Sequence, residues 1–192
     1  MLARAAGWSS AEAEAIRFAA PMHDVGKIGI PDDILRKPSR LTTDEYEVMK
    51  RHTLIGAEIL ADSSSPLLMQ AAVIALSHHE RWDGAGYPHG LAGEAIPESA
   101  RILAIVDVYD ALTHDRVYRP ALPVDQALEL MAEGQGTHFD PLLLPAFFTV
   151  HEEIERISHI VPDSSQAACF VTGSLPGPTC GIAPRSEVRS IP

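Results

Sequence analysis

Apolar residues recur along this chain three and four positions apart. They almost never alternate with the period of two that a half-buried strand needs. Ile16, Ala19, Ala20 and His23 fall on one face of a first helical segment, which a Ser9/Glu12 capping box opens and Pro21 should kink. Thr42 and Glu45 make a second capping box. The helix it opens is predicted over about 43–61, with Tyr46, Met49, Thr53, Ala57 and Leu60 along its stripe. Pro66 opens a helix that should run through LLMQAAVIALSHHE, Pro97 one through ARILAIVDVYDALT, and Pro123 one that stops at Gly134. Asp140 and Pro141 begin the last, ending near Ser158.

Between these, IGIPDDILRKPSR has no helical period and two prolines, and RWDGAGYPHGLAGEAIP is crowded with glycine and proline; both read as loops. From about 162 the texture turns to Ser, Pro and Gly, too poor in apolar residues to pack. The expected architecture is all-α: one helical domain over 1–160 and a disordered tail over 161–192.

Composition narrows the function. The 192 residues are 46% apolar, enough for one core, and carry a net charge of −11. Such a surface repels nucleic-acid polymers and anionic membranes but still admits a small anion where basic residues converge. Cys169 and Cys180, the only cysteines, make no disulfide framework or CxxC motif and suit a reducing cytoplasm. No run is long and apolar enough for a membrane span or a signal peptide.

Chemistry gathers in His23-Asp24, His52, His78-His79 and Asp107, near helix ends or on inward faces. Neighbours on a helix point about 100° apart, so each adjacent pair can serve two neighbouring ions, the carboxylate bridging through its two oxygens. Imidazole and carboxylate without thiolate suit iron, manganese, nickel or zinc. Any single buried histidine is more often satisfied by hydrogen bonds than by metal. Asp107 weighs more, because a carboxylate on the inward face of ILAIVDVYDAL demands cations nearby. Lys27 lies one turn beyond His23 and Asp24, where its ammonium can neutralise a phosphoryl oxygen. Asp110 can pair with Lys27 or Arg116. Lys27, Arg81, Arg116 and Arg119 form a basic set that is either solvated surface or, against a metal pair, a phosphate-binding rim. His89, His114, His138, His151 and His159 read as ordinary surface or loop residues.

Taken in order, HDVGKIGIPDDIL, MKRHTLIGAEIL, SHHERWDGAGYPHGLAGEAIP, ARILAIVDVYDALTHDRVYR and GTHFDP resemble the HD-GYP family of bacterial HD phosphohydrolases, over roughly residues 5–150. The resemblance implies a helical HD-type domain with two or three divalent ions, iron or manganese foremost. It implies hydrolysis of the second messenger cyclic di-GMP to linear pGpG or GMP. It makes His23, Asp24, His52, His78, His79 and Asp107 metal ligands, Asp24 and Lys27 the catalytic pair, and Gly86-Tyr87-Pro88 the signature loop shaping the pocket. Tyr87, Pro88, Asp110, Arg116 and Arg119 would join Lys27 in contacting substrate. An upstream sensor or receiver domain and diguanylate cyclase-type proteins would be partners.

Ser39 and His114 depart mildly from the family pattern. The larger departure is that no histidine precedes His23. MLARAAGW reads as the end of a ligand-bearing helix, so the expectation is a truncated domain with one metal position short of a ligand and apolar surface uncovered. The competing expectation is a catalytically impaired module that binds cyclic di-GMP or a protein through the GYP face.

Overall fold

A computed structural model describes residues 1–115 and 120–160, the side chains of 157–160 aside. Nine α-helices occur in the described residues: α1 Leu2–Ala5, α2 Ser10–Ala19, α3 Asp32–Leu35, α4 Thr43–Lys50, α5 His52–Ala61, α6 Pro66–Ser77, α7 Glu98–Thr113, α8 Val124–Glu133 and α9 Leu143–Ile160. Among those residues extended pairing is confined to two isolated bridges, Asp83 with Ala92 and Gln135 with Phe139, so the all-α expectation holds. Both capping boxes form: Ser9 and Thr42 accept the amides of Glu12 and Glu45, whose carboxylates accept in return. The 161–192 tail lies outside the described residues.

The main core joins α1, α2, α6, α7, α8 and α9 through Leu2, Ile16, Ile74, Ile105, Met131 and Phe147, all buried. A smaller cluster of Ile30, Leu35 and Met49 seats α3 and α4 beside it. That cluster corrects one expectation, since IGIPDDILRKPSR is not wholly irregular. Pro31 is the N-cap of the one-turn α3, and Leu35 is buried from it. Four residues are too few to show a helical period.

Two more boundaries differ, for a shared reason. The helix expected over 43–61 breaks at Arg51. There the His52 Nδ1–H donates to the Met49 carbonyl (2.8 Å) and the Thr53 hydroxyl to that of Lys50 (2.9 Å). Side chains thus occupy carbonyls at the junction, and the Arg51 amide turns back to Val48 over three residues. Likewise α6 ends at Ser77 rather than at Glu80, where the His78 Nδ1–H donates to Ala75 (3.0 Å). Pro21 acts as expected: α2 stops at Ala19 and a 3-10 turn, Ala20–Met22, follows.

A second 3-10 turn, Val25–Gly29, lies directly on α5. A Cβ on Gly26 would stand 1.9 Å from the His52 carbonyl oxygen and 2.4 Å from the Gly56 nitrogen. Only glycine admits this approach, which brings Asp24 to His52. Farther round, the segment after α6 docks on the α8–α9 turn, the amides of Trp82 and Asp83 donating to His138 and Thr137 (3.1 and 2.8 Å). His138, expected as an ordinary surface or loop residue, lies in that turn, half-buried and stacked on Phe139 at 4.4 Å.

Gly26→Ala is expected to destabilise the fold by about 2–3 kcal/mol. Gly56→Ala, whose Cβ would meet nothing closer than 3.2 Å, should cost less; equal losses in urea melts would contradict the crossing. Burial, with Arg81 adding, pushes the His138 imidazole down to about 4 from its ordinary 6.5. Below 6.5 the unfolded chain therefore binds the extra proton, and stability falls until about pH 4. His138→Gln is expected to flatten that fall by at most about 3 kcal/mol, read as the difference between the two pH–stability curves.

Candidate metal centre

The centre is built from helix ends. His23 and Asp24 sit between the two 3-10 turns, His52 opens α5, His78 and His79 follow α6, and Asp107 lies midway along α7. These segments, far apart in sequence, bring their side chains together. From Asp24, Oδ2 lies 3.3 Å from His23 Nε2, while Oδ1 lies 3.5 Å from His52 Nε2 and 3.9 Å from His78 Nε2. Asp107 Oδ1 is 3.8 Å from His23 Nε2. Two donor sets result, His52/His78/His79 and His23/Asp24/His78, with all donor atoms in each within 4.8 Å of one another and His78 common to both.

The histidine tautomers follow from the backbone. His23, His52 and His78 each place Nδ1 on a carbonyl three residues back, at 2.7, 2.8 and 3.0 Å. A carbonyl only accepts, so each Nδ1 carries the hydrogen, and in the neutral ring Nε2 then presents a lone pair to the centre. His52 Nε2 and His78 Nε2 face one another at 3.4 Å, which sets two lone pairs in opposition. His23 Nε2, Asp24 Oδ1 and His79 Nε2 are buried without a hydrogen bond. Buried acceptors without donors are costly unless a cation takes their place. Donors about 2.1 Å from one ion stand roughly 3 Å apart, close to the shorter separations here. The residues therefore fit divalent metal. The carbonyl bonds are the supporting contacts that ligating histidines characteristically make.

Electrostatics divide the imidazoles. Burial holds His52 and His79 below the ordinary imidazole value and pushes His78 down to about 3, so all three are neutral donors. Burial lowers His23 too, but its hydrogen bond and charge attraction to Asp24, with Asp107 adding, outweigh it and hold that ring above the ordinary value. Burial opposes the charge on Asp24, but His23 and the Lys27 ammonium outweigh it and hold the carboxyl well below the usual range. Lys27 is itself buried, its Nζ 2.5 Å from Asp24 Oδ2.

Tyr87 closes one side, its ring stacked on His79 at 4.8 Å and edge-on to Tyr46 at 6.2 Å. Pro88 beside it is half-buried. Asp110 is exposed one turn beyond Asp107, with His114 Nδ1 at 3.2 Å. Arg81, grouped in the sequence with a phosphate rim, instead binds Asp83 through two nitrogens at 3.1 and 2.7 Å. Arg116 and Arg119 lie outside the described residues. Two contributors escaped the sequence reading: Tyr46, and Glu80, whose carboxylate is buried under the loop that follows it. The only signal for Glu80 was an acid directly after two candidate ligands.

Residues 1–143 match the family described as HD domain. A cyclic di-GMP phosphodiesterase of Vibrio cholerae serotype O1 is 49% identical over 157 residues, 79% of this chain and 32% of that protein. The cyclic di-GMP phosphodiesterase response regulator RpfG of Xanthomonas campestris pv. campestris is 48% identical over 157 residues, 82% of this chain and 42% of that one. The chain thus spans about a third to two fifths of these relatives. A crystal structure of a cyclic GMP-AMP specific phosphodiesterase from V. cholerae superposes with a TM-score of 0.62 at 20% identity, over 86% of this chain and 45% of that chain, a likeness of fold.

Adding manganese to chelator-stripped protein is expected to raise Tm by several degrees, about 2–4 kcal/mol at saturating metal. Asp24→Asn should remove most of that rise and Asp110→Asn little of it. An unmoved melting curve in differential scanning fluorimetry would count against the centre.

Proposed function

The chain belongs to the HD domain family, and from that premise we propose that it is a metal-dependent phosphodiesterase of the HD-GYP group acting on cyclic di-GMP. The observation that carries this reading is the convergence of bare imidazole and carboxylate lone pairs beside a buried ammonium. Relatives bearing the cyclic di-GMP name match most of the chain, and the GYP text belongs to the same set of motifs.

His23, Asp24, His52, His78, His79 and Asp107 would hold two or three divalent ions, iron or manganese by the donor set. Bound ions supply an activated water and polarise a phosphoryl oxygen. The chain's own residues do the rest. Asp24, with one oxygen toward His23 and the other toward His52 and His78, would hold metal and orients Lys27. Lys27, itself buried and fixed by that carboxylate, offsets the charge that grows on the non-bridging oxygens as water attacks phosphorus. The P–O3′ bond breaks, the 3′-oxygen takes a proton, and linear pGpG results; a second hydrolysis gives GMP. Tyr87 and Pro88 wall the pocket, and Asp110, Arg116 and Arg119 complete the substrate contacts. Sensor or receiver domains and diguanylate cyclases remain the partners this reading implies, with action in the cytoplasm. For the membrane, the finding is that no helix among the described residues is long and apolar enough to cross one.

Protein loaded anaerobically with ferrous iron or manganese is expected to convert cyclic di-GMP to pGpG or GMP, followed by chromatography. Asp24→Ala should lower kcat/KM by about a thousandfold or more. Metal-loaded protein that binds the dinucleotide and leaves it intact would overturn the assignment.

A further inference from the structure

We infer that Glu80 is a positioning residue that suspends the Gly86-Tyr87-Pro88 loop over the metal centre and so sets the affinity for the cyclic dinucleotide. The inference rests on the phosphodiesterase reading. Glu80 is 2% exposed, although it directly follows His79 at the mouth of a loop. Its carboxylate faces backbone amides: Oε1 accepts from the His89 N–H at 2.8 Å and Oε2 from the Leu91 N–H at 2.9 Å. These donors lie nine and eleven residues on, so one side chain gathers the far limb of the loop back to the helix end.

The near limb is tied to the same backbone. The Tyr87 N–H donates to the His79 carbonyl at 3.2 Å. A Cβ on Gly86 would stand 2.4 Å from the Arg81 nitrogen, 2.5 Å from Glu80 Cα and 2.6 Å from the His79 oxygen. The loop is thus pressed against residues 79–81 from both limbs, and the Tyr87 ring is delivered onto the His79 imidazole. Among the described residues the Glu80 carboxylate bonds to the loop amides and not to the donor cluster. It acts through the loop, on what the loop touches.

Charge and reach both matter. A carboxylate accepts at both oxygens, whereas Gln presents one oxygen and one NH2 group, which would face a backbone N–H donor to donor. Asp keeps both acceptors but is one methylene shorter. Glu80→Gln is therefore expected to raise KM for cyclic di-GMP about tenfold with kcat within about twofold, the signature of lost binding rather than lost chemistry. Metal content should stay at the wild-type value, and the His89 and Leu91 amides should lose hydrogen-exchange protection. Glu80→Asp should show the same pattern at smaller amplitude, and it decides the matter if the Gln variant does not fold.

Unchanged exchange at both amides overturns the loop role. A fall in kcat with KM unchanged overturns positioning and puts Glu80 in the chemistry, and loss of metal overturns it in favour of a role in the centre itself. Wild-type protein that hydrolyses no cyclic di-GMP refutes the functional reading separately. The exchange measurement, with calorimetric binding of the dinucleotide in place of KM, then decides the claim for Glu80: unweakened binding in the variant refutes it.

Discussion

The centre depends on a backbone crossing in which two glycines replace side-chain packing. The turn carrying Asp24 can reach the helix carrying His52 only because Gly26 sits against the His52 carbonyl and Gly56 with no side chain between them. The same face of Gly56 meets the Ala75 Cβ, three residues before His78, which follows α6. The three segments that carry Asp24, His52 and His78 thus meet around Gly56. A side chain at Gly26 would have to push its turn off α5, and the donor atoms with it.

Around that stack the fold separates two tasks. An apolar core of α1, α2 and α6–α9 supplies stability, while the polar centre sits where α5 and α6 meet the 3-10 turns. Metal would be the counterpart of a deliberate electrostatic deficit: the neutral imidazoles of His52, His78 and His79, an ionised Asp24 and one buried lysine, with lone pairs directed inward. Lys27 offsets part of the acid charge and leaves the rest for cations.

Much of this was legible in the sequence. The helices were visible because their apolar positions recur at helical spacing and because Ser9/Glu12 and Thr42/Glu45 mark two starts. Lys27 could be placed near Asp24 because residues three apart meet in either kind of helical turn. The adjacent pairs His23-Asp24 and His78-His79 declared themselves. Other features left no periodic trace. The break at Arg51 comes from side-chain bonds to carbonyls, α3 is a single turn, and Glu80 binds amides across a loop whose course no pattern encodes. The pairing of Arg81 with Asp83, two residues on, was not legible because it forms only once the loop has turned.

One bond has a wider meaning. In His52 and His78 the nitrogen that holds the ring in place is also the group that ends, or begins, the helix beneath it. Ligand geometry and chain direction are therefore written by the same atom. An alanine at either position is two changes at once: it deletes a donor and releases a carbonyl that invites the helix to run on. Asparagine, whose amide keeps a short donor, is the substitution whose comparison with alanine separates lost coordination from altered chain path. Histidine scanning of this centre acquires a clear meaning only when the two are made side by side.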